Sequence, residues 1–130
     1  MSHFSTVKTE LRDRGSLLLA LTDLGHAPSE GSQPVRGYRG QTVPCEVVVA
    51  SEAGGDFGFA WNAQSEAYEL VADLDLWRQP VPVERFLAQL TQRYALRSIL
   101  AASVQEGFQV AEQTNLQDGS IEVVVTRWQG

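Results

Sequence analysis

An α+β fold, with two helices packed on one face of an antiparallel sheet, is what this 130-residue sequence predicts. Three observations carry the expectation. Short segments rich in β-branched residues alternate their side chains and are bounded by Gly, Pro, Asn and Asp. Two longer segments repeat apolar residues at helical spacing, and each stops at a glycine. Near the C-terminus, Asp118-Gly119 is a tight-hairpin signal.

"HFSTVKTEL" reads as the first strand, and "RDRGSLLLALTDLG" follows as a helix with Leu17, Ala20, Leu21 and Leu24 on one stripe. Asp13 suits its N-cap and Gly25 its C-terminal stop. "HAPSEGSQP" is a polar loop of turn formers. "VRGYRGQ" and "CEVVVASE" read as strands joined around "QTVP", and "FGFAWN" and "AYELVADL" as strands joined by "AQSE". "DLWRQPVP" is an extended link. It leads to a second helix from about Pro82 to Glu106, closed by Gly107. "FQVAEQTN" and "SIEVVVTRW" form the last hairpin around "LQDG".

This order contains a weak repeat. Strand, helix, glycine and strand pair occur twice, and the closing strands share "EVVV" at Glu46–Val49 and Glu122–Val125. A pseudo-twofold β-α-β-β arrangement is the corresponding prediction, broken by "FGFAWN".

The length is that of one domain, 1–130, long enough to bury a core without disulfides or metal. A net charge of −6 disfavours general nucleic-acid binding, which depends on displacing phosphate counterions. The acidity lies almost wholly after residue 45: before it five bases face four acids, after it five face twelve. Cys45 is the single cysteine, which suits a reducing compartment, and the N-terminus shows no secretory signal. No stretch approaches the roughly 20 apolar residues of a membrane span. The expectation is a soluble, cytoplasmic protein.

Among candidate sites, "VRGYRGQ" places Arg36 before Gly37, and Tyr38 and Arg39 between Gly37 and Gly40. An arginine fork beside a tyrosine can hold a phosphate or carboxylate. Alternatively, Arg36 stacks on an aromatic and the glycines mark a bulge. In an extended strand Arg36 and Tyr38 share one face and Arg39 takes the other. In the second helix, Val83, Phe86, Leu87, Leu90, Tyr94, Leu100 and Val104 form an apolar stripe with Arg97 in its middle and Arg93 at its edge. Such arginines must be paired or reach water, through a sheet carboxylate such as Glu69 or Asp73, through a bend that lets Arg97 snorkel, or as a cationic pocket between helix and sheet.

"FGFAWN" sets Phe57, Phe59 and Trp61 on one face and Gly58, Ala60 and Asn62 on the other. At a sheet edge, that small-residue face can accept a partner strand. Trp77 and Arg78, flanked by carboxylates and prolines, suit an exposed docking surface. Catalytic signals are thin. His3 and His26 have no metal-ligand spacing with Cys45, no nucleophile or phosphate-loop motif is present, and no cofactor is implied. An enzymatic reading requires Cys45 to be exposed beside His26.

"MSHFSTVKTELRDRGSLLLALTDLG", "VRGYRGQ", "YELVADLDLW", "VERFLAQLTQRYA" and "GFQVAEQTNLQDGSIEVVVTRW" resemble the hypothetical chloroplast reading frame thirty-five family. That resemblance covers nearly the whole chain, departing at Leu96 and Ala60, and carries over no catalytic residues. It implies a cyanobacterial cytosol or plastid stroma, and protein partners such as a ferredoxin-like protein or an AAA-type ATPase. The combined expectation is a non-enzymatic protein-interaction module in a larger assembly. The alternative is a small anionic-ligand-binding domain using the arginine- and tyrosine-bearing segment.

Overall fold

The computed structural model describes residues 3–31, 33–51, 55–105, 108–115 and 121–127. In chain order its elements are β1 (Phe4–Lys8), α1 (Arg14–Asp23), β2 (Ser29–Glu30), β3 (Val35–Arg36), β4 (Thr42–Val43), β5 (Val47–Val49), β6 (Phe57–Asn62), β7 (Ala67–Asp73), α2 (Val83–Gln105), β8 (Phe108–Asn115) and β9 (Ile121–Arg127). Short 3₁₀ turns occupy Tyr38–Gly40 and Leu74–Leu76. The expected stop at Gly107 and the "LQDG" turn lie outside the described residues.

Five strands form an antiparallel sheet in the order β1-β7-β6-β5-β2, and β3–β4 and β8–β9 are separate two-stranded sheets. Alternation along the strands divides the side chains between two layers. On one face Val47, Val49, Phe57, Phe59, Leu70 and Ala72 meet Leu17, Ala20 and Leu21 of α1 and Val83, Phe86 and Leu90 of α2. On the other, Val48 and Val71 meet Val35 and Cys45, with Phe4, Val43 and Ala60 around them. Both helices therefore pack on one face, as predicted, and the β3–β4 hairpin covers the opposite one. Full burial of Phe57 and Phe59 contributes roughly 1.5–3 kcal/mol each to the helix-side core.

α1 is closed by its own sequence. The Asp13 side chain accepts from the Ser16 amide at 2.8 Å, the expected N-cap. At the other end the Gly25 amide donates to Thr22 O and the His26 amide to Leu21 O, both at 3.0 Å, which closes α1 with a Schellman pair. The phenol of Tyr94 in α2 accepts from the amides of Arg12 and Asp13, tying the second helix to the start of the first.

Four expectations need correction. "FGFAWN" is not an edge strand: β6 lies between β5 and β7. Its small-residue face is occupied by the chain's own hairpin, because a Cβ on Gly58 would lie 2.6 Å from Val35 Cγ2 and 2.8 Å from Val47 O. "VRGYRGQ" is not a strand through its length, since pairing stops at Arg36 and the chain turns. The apolar stripe of α2 does not continue to Val104, which is 73% exposed. Beyond Tyr94 the buried positions are Leu96 and Ser103, more than 100° around the helix from Leu90 at 100° per residue. Finally, the repeat is not confirmed. Val47–Val49 belongs to the five-stranded sheet, whereas its counterpart Val123–Val125 pairs with β8 in a separate one.

Candidate functional site

The "VRGYRGQ" segment is fixed by two buried carboxylates at one end of the sheet. Asp56 precedes β6 and Asp73 ends β7, one residue beyond the paired Phe57 and Ala72, and each is 1% exposed. Asp56 accepts from the Arg36 amide at 3.0 Å, from Arg36 Nε at 2.7 Å and Nη2 at 2.9 Å, and from the Ser51 amide at 2.8 Å. Burial alone would push its carboxyl up. The hydrogen bonds from Arg36 and Ser51 outweigh burial and hold it below its ordinary value. Arg36 Nη2 also donates to Ser51 O at 2.5 Å, so the guanidinium fork expected to grip a ligand is engaged within the chain. Asp73 accepts from the Tyr38 amide at 3.0 Å and from the Asp75 amide at 3.1 Å.

From the second of these anchors the chain turns sharply through Tyr38–Gly40. The Gly37 amide donates to Gln41 O at 2.7 Å, and Gln41 N returns a bond to Tyr38 O at 3.1 Å. A Cβ at Gly37 would lie 2.5 Å from Cζ of Phe4, so any larger residue there would have to displace that ring. Arg39 has φ 54° and ψ 38°, the left-handed region that costs an L-residue about 1–2 kcal/mol. The turn thus replaces the expected strand alternation and brings Tyr38 and Arg39 together. The Arg39 guanidinium lies 5.1 Å from the Tyr38 ring centroid, and the His3 ring centroid lies 4.6 Å from it, tilted by 54°. Tyr38 is 40% exposed, Arg39 is exposed, and Leu74, which follows Asp73 in the chain, is 39% exposed. Arg39 makes no ion pair among the described residues, unlike Arg36, Arg93 and Arg97.

The two arginines of α2 meet neither Glu69 nor Asp73. Arg93 Nε at 2.9 Å and Arg97 Nε at 2.7 Å share Asp23 Oδ2, while Arg97 Nη2 reaches Oδ1 at 2.6 Å. Asp23 is the last residue of α1, so the clasp joins helix to helix. Arg97, chiefly, with Arg93, holds the Asp23 carboxyl down at about 2 against the opposing push of burial.

Trp77 is half-buried rather than exposed. Its indole N–H donates to Val81 O at 2.8 Å, and its ring lies 5.4 Å from Phe57 and 5.5 Å from Phe86. Arg78 beside it is exposed, its stem next to Gly55. Asn62 shapes the β6–β7 turn: its carbonyl accepts from the Gln64 and Ser65 amides, and its NH₂ donates to Glu69.

Cys45 and His26 are not brought together. Cys45 is 7% exposed in the hairpin-side layer, and burial first, with Glu46 adding, pushes its thiol up to about 11. His26 lies on the helix side, with its ring edge-on to Phe57 and Phe86, and burial lowers its pKa. Among the described residues no cluster of three His, Cys, Asp or Glu side chains can hold a metal, and no helix is long and apolar enough to cross a membrane.

Sequence reasoning missed Asp56 and Asp73 as the residues that position the site. Their signal was available only as carboxylates at strand ends, which most proteins place in water.

A family model described as "Protein of unknown function (DUF1257)" matches residues 20–124, spanning the Tyr38–Arg39 turn, both anchoring aspartates and α2. The "Uncharacterized protein ycf35" of Guillardia theta is 41% identical over 128 residues, 98% of each chain. Proteins of the same name from Pyropia yezoensis and Cyanophora paradoxa are 37% and 36% identical over the same shares. No solved structure matches. With the model covering most of the chain and these relatives nearly all of it, the chain belongs to the DUF1257 family, alongside the ycf35 proteins.

Proposed function

We propose that this protein is a non-enzymatic interaction module that presents Tyr38 and Arg39, with His3 and Leu74 beside them, to a carboxylate-bearing protein partner. One observation carries the reading: Arg39 stands in a left-handed conformation that glycine would adopt without strain. What arginine adds there is its side chain, exposed, unpaired among the described residues and set against Tyr38. Tyrosine and arginine are the residue types that concentrate in binding hot spots, and a pre-set turn lowers the ordering cost of association. The setting is the cytosol of a cyanobacterium or the stroma of a plastid, and ferredoxin-like proteins and AAA-type ATPases are the partner classes to try first.

Affinity purification from a photosynthetic lysate, comparing wild type with Tyr38→Ala and Arg39→Gly, tests the proposal. Arg39→Gly relieves the left-handed strain, so its stability should stay within about 1 kcal/mol of wild type. Both variants should lose the partner. Recovery of the same partners by wild type and by both variants would sink the idea.

Small-anion binding is the second reading, supported by the same uncompensated Arg39 guanidinium. The forks of Arg36, Arg93 and Arg97 are committed to Asp56 and Asp23, so of the four candidate arginines this leaves Arg39, where the reading needs several. A rise in melting temperature with phosphate or a dicarboxylate, abolished in Arg39→Gly, would favour it over the first.

A further inference from the structure

We propose that the pocket between the end of α1, the 79–81 link and the first turns of α2 binds a small uncharged aromatic molecule with a hydrogen-bonding edge. This site is separate from the Tyr38–Arg39 surface. Its volume is about 280 Å3. An apolar cavity of roughly 150 Å3 already accepts benzene, so this one has room for a bicyclic ring or a ring bearing an amide.

The lining sets the ligand's polarity. Leu24, Val81 and Phe86 supply apolar walls, and no charged side chain contributes to them. A carboxylate or ammonium ligand would lose water there with no opposite charge in the lining to offset it. Polar groups arrive from three places: the His26 imidazole after α1, the Gln79 carboxamide in the link and the Gln89 carboxamide on α2. None of the three side chains makes an intramolecular hydrogen bond among the described residues. Together they offer both donors and acceptors to the edge of a neutral ring.

The aromatic surroundings favour a flat occupant. His26 meets Phe86 edge-on with ring centroids 5.6 Å apart, and Phe86 is in turn 5.5 Å from Trp77. A further ring can join this cluster in the offset or edge-on contacts that aromatic groups prefer. Trp77 lies one ring away from the pocket wall, so occupancy has an optical reporter. The indole is held by its own bond to Val81 O, and Val81 lines the pocket.

The test is a titration of the full chain, ¹⁵N-labelled, with benzamide, indole and benzoate. Benzamide and indole should bind with dissociation constants on the order of 1 mM and shift the amides of Leu24, His26, Val81 and Gln89, and benzamide, which carries no indole chromophore, should also change the tryptophan emission. Benzoate should bind at least about tenfold more weakly. Gln89→Ala, at an exposed helix position, and His26→Phe, which keeps the ring and removes its nitrogens, should each weaken benzamide at least about fivefold. Tyr38→Ala should leave it unchanged, which separates this site from the partner surface. Absence of localised shifts with either neutral ring up to about 10 mM would overturn the proposal. So would equal binding of benzoate, or a tryptophan-bearing peptide that binds where the free rings do not.

Discussion

Replacing Asp23 with alanine measures how firmly the two helices are clasped. Its carboxylate receives Arg93 and Arg97 with N···O distances of 2.6–2.9 Å and is 12% exposed, against 29% and 32% for the two arginines. Depression of its pKa from 3.8 to about 2 corresponds to about 2 kcal/mol of preference for the ionised form in the folded chain. Alanine recovers a few tenths of that. It removes a negative charge from the negative end of the α1 dipole and has the better helix propensity. The arginines also retain partial access to water, so the net loss should be about 1–2 kcal/mol at pH 7.

The pH dependence gives the sharper check. A carboxyl whose folded pKa is depressed contributes its stability above the unfolded value. For Asp23 that contribution is complete above 3.8 and disappears as pH falls towards about 2. Urea unfolding of wild type and Asp23→Ala at pH 7 and pH 2.5 should therefore show the two stabilities converging in acid, with equal denaturant slopes at each pH. An Arg97→Ala cycle should return a coupling of about 1–2 kcal/mol with Asp23. A deficit under about 0.5 kcal/mol at neutral pH, or one of the same size at pH 2.5, would refute the clasp as a source of stability.

Arg36→Ala leaves Asp56 buried with only backbone donors, so burial should raise its carboxyl pKa above 3.8; the variant's deficit against wild type should then be largest at neutral pH and shrink on acidification, read by urea midpoints. Gly58→Ala should cost about 1–3 kcal/mol, because its Cβ meets Val35 and the Val47 carbonyl; a neutral result would mean that the hairpin lifts off freely. His26 has a folded pKa below 6.5, so its contribution is full above 6.5 and declines as pH falls through that value; His26→Phe should flatten this limb of the stability curve. Native labelling of Cys45 at pH 8 should run at least about a hundredfold slower than in urea, since the thiol is 7% exposed and pushed up to about 11.

What could be read from the sequence was set by local rules. Asp13 and Gly25 bound the first helix, and Pro82 precedes the second, because caps and helix starts depend on a few adjacent residues. Phe57 and Phe59 are buried together because strand periodicity is two. Where the reading failed, the deciding contact came from a distant segment. The α2 stripe holds over its first three turns, opposite α1 and the sheet. Past Tyr94 the helix buries another face as it runs into β8, and periodicity cannot announce a change of neighbour. β2 reads as part of a polar loop in the sequence because two residues pairing with Val47 and Val48 leave no pattern of their own.

The arginines show the same division most plainly. An arginine on an apolar stripe signals that an anion must be near, yet the sequence ranks sheet carboxylates at the right distance no differently from a helix terminus. Asp23 prevails because the fold brings the end of α1, where backbone carbonyls already favour cations, against α2. Arg36 likewise has a buried carboxylate ready, since the β3–β4 hairpin crosses the sheet where β6 begins. Once those pairs are assigned, the cationic character that made "VRGYRGQ" resemble a ligand cradle is largely neutralised, and it is Arg39 that keeps its charge open to a partner. The strain at Arg39 then has a physical counterpart on either side: before it the Tyr38 amide is bound by buried Asp73, and after it Gln41 is tied back to Gly37 and Tyr38, so the turn cannot relax without losing one of these bonds.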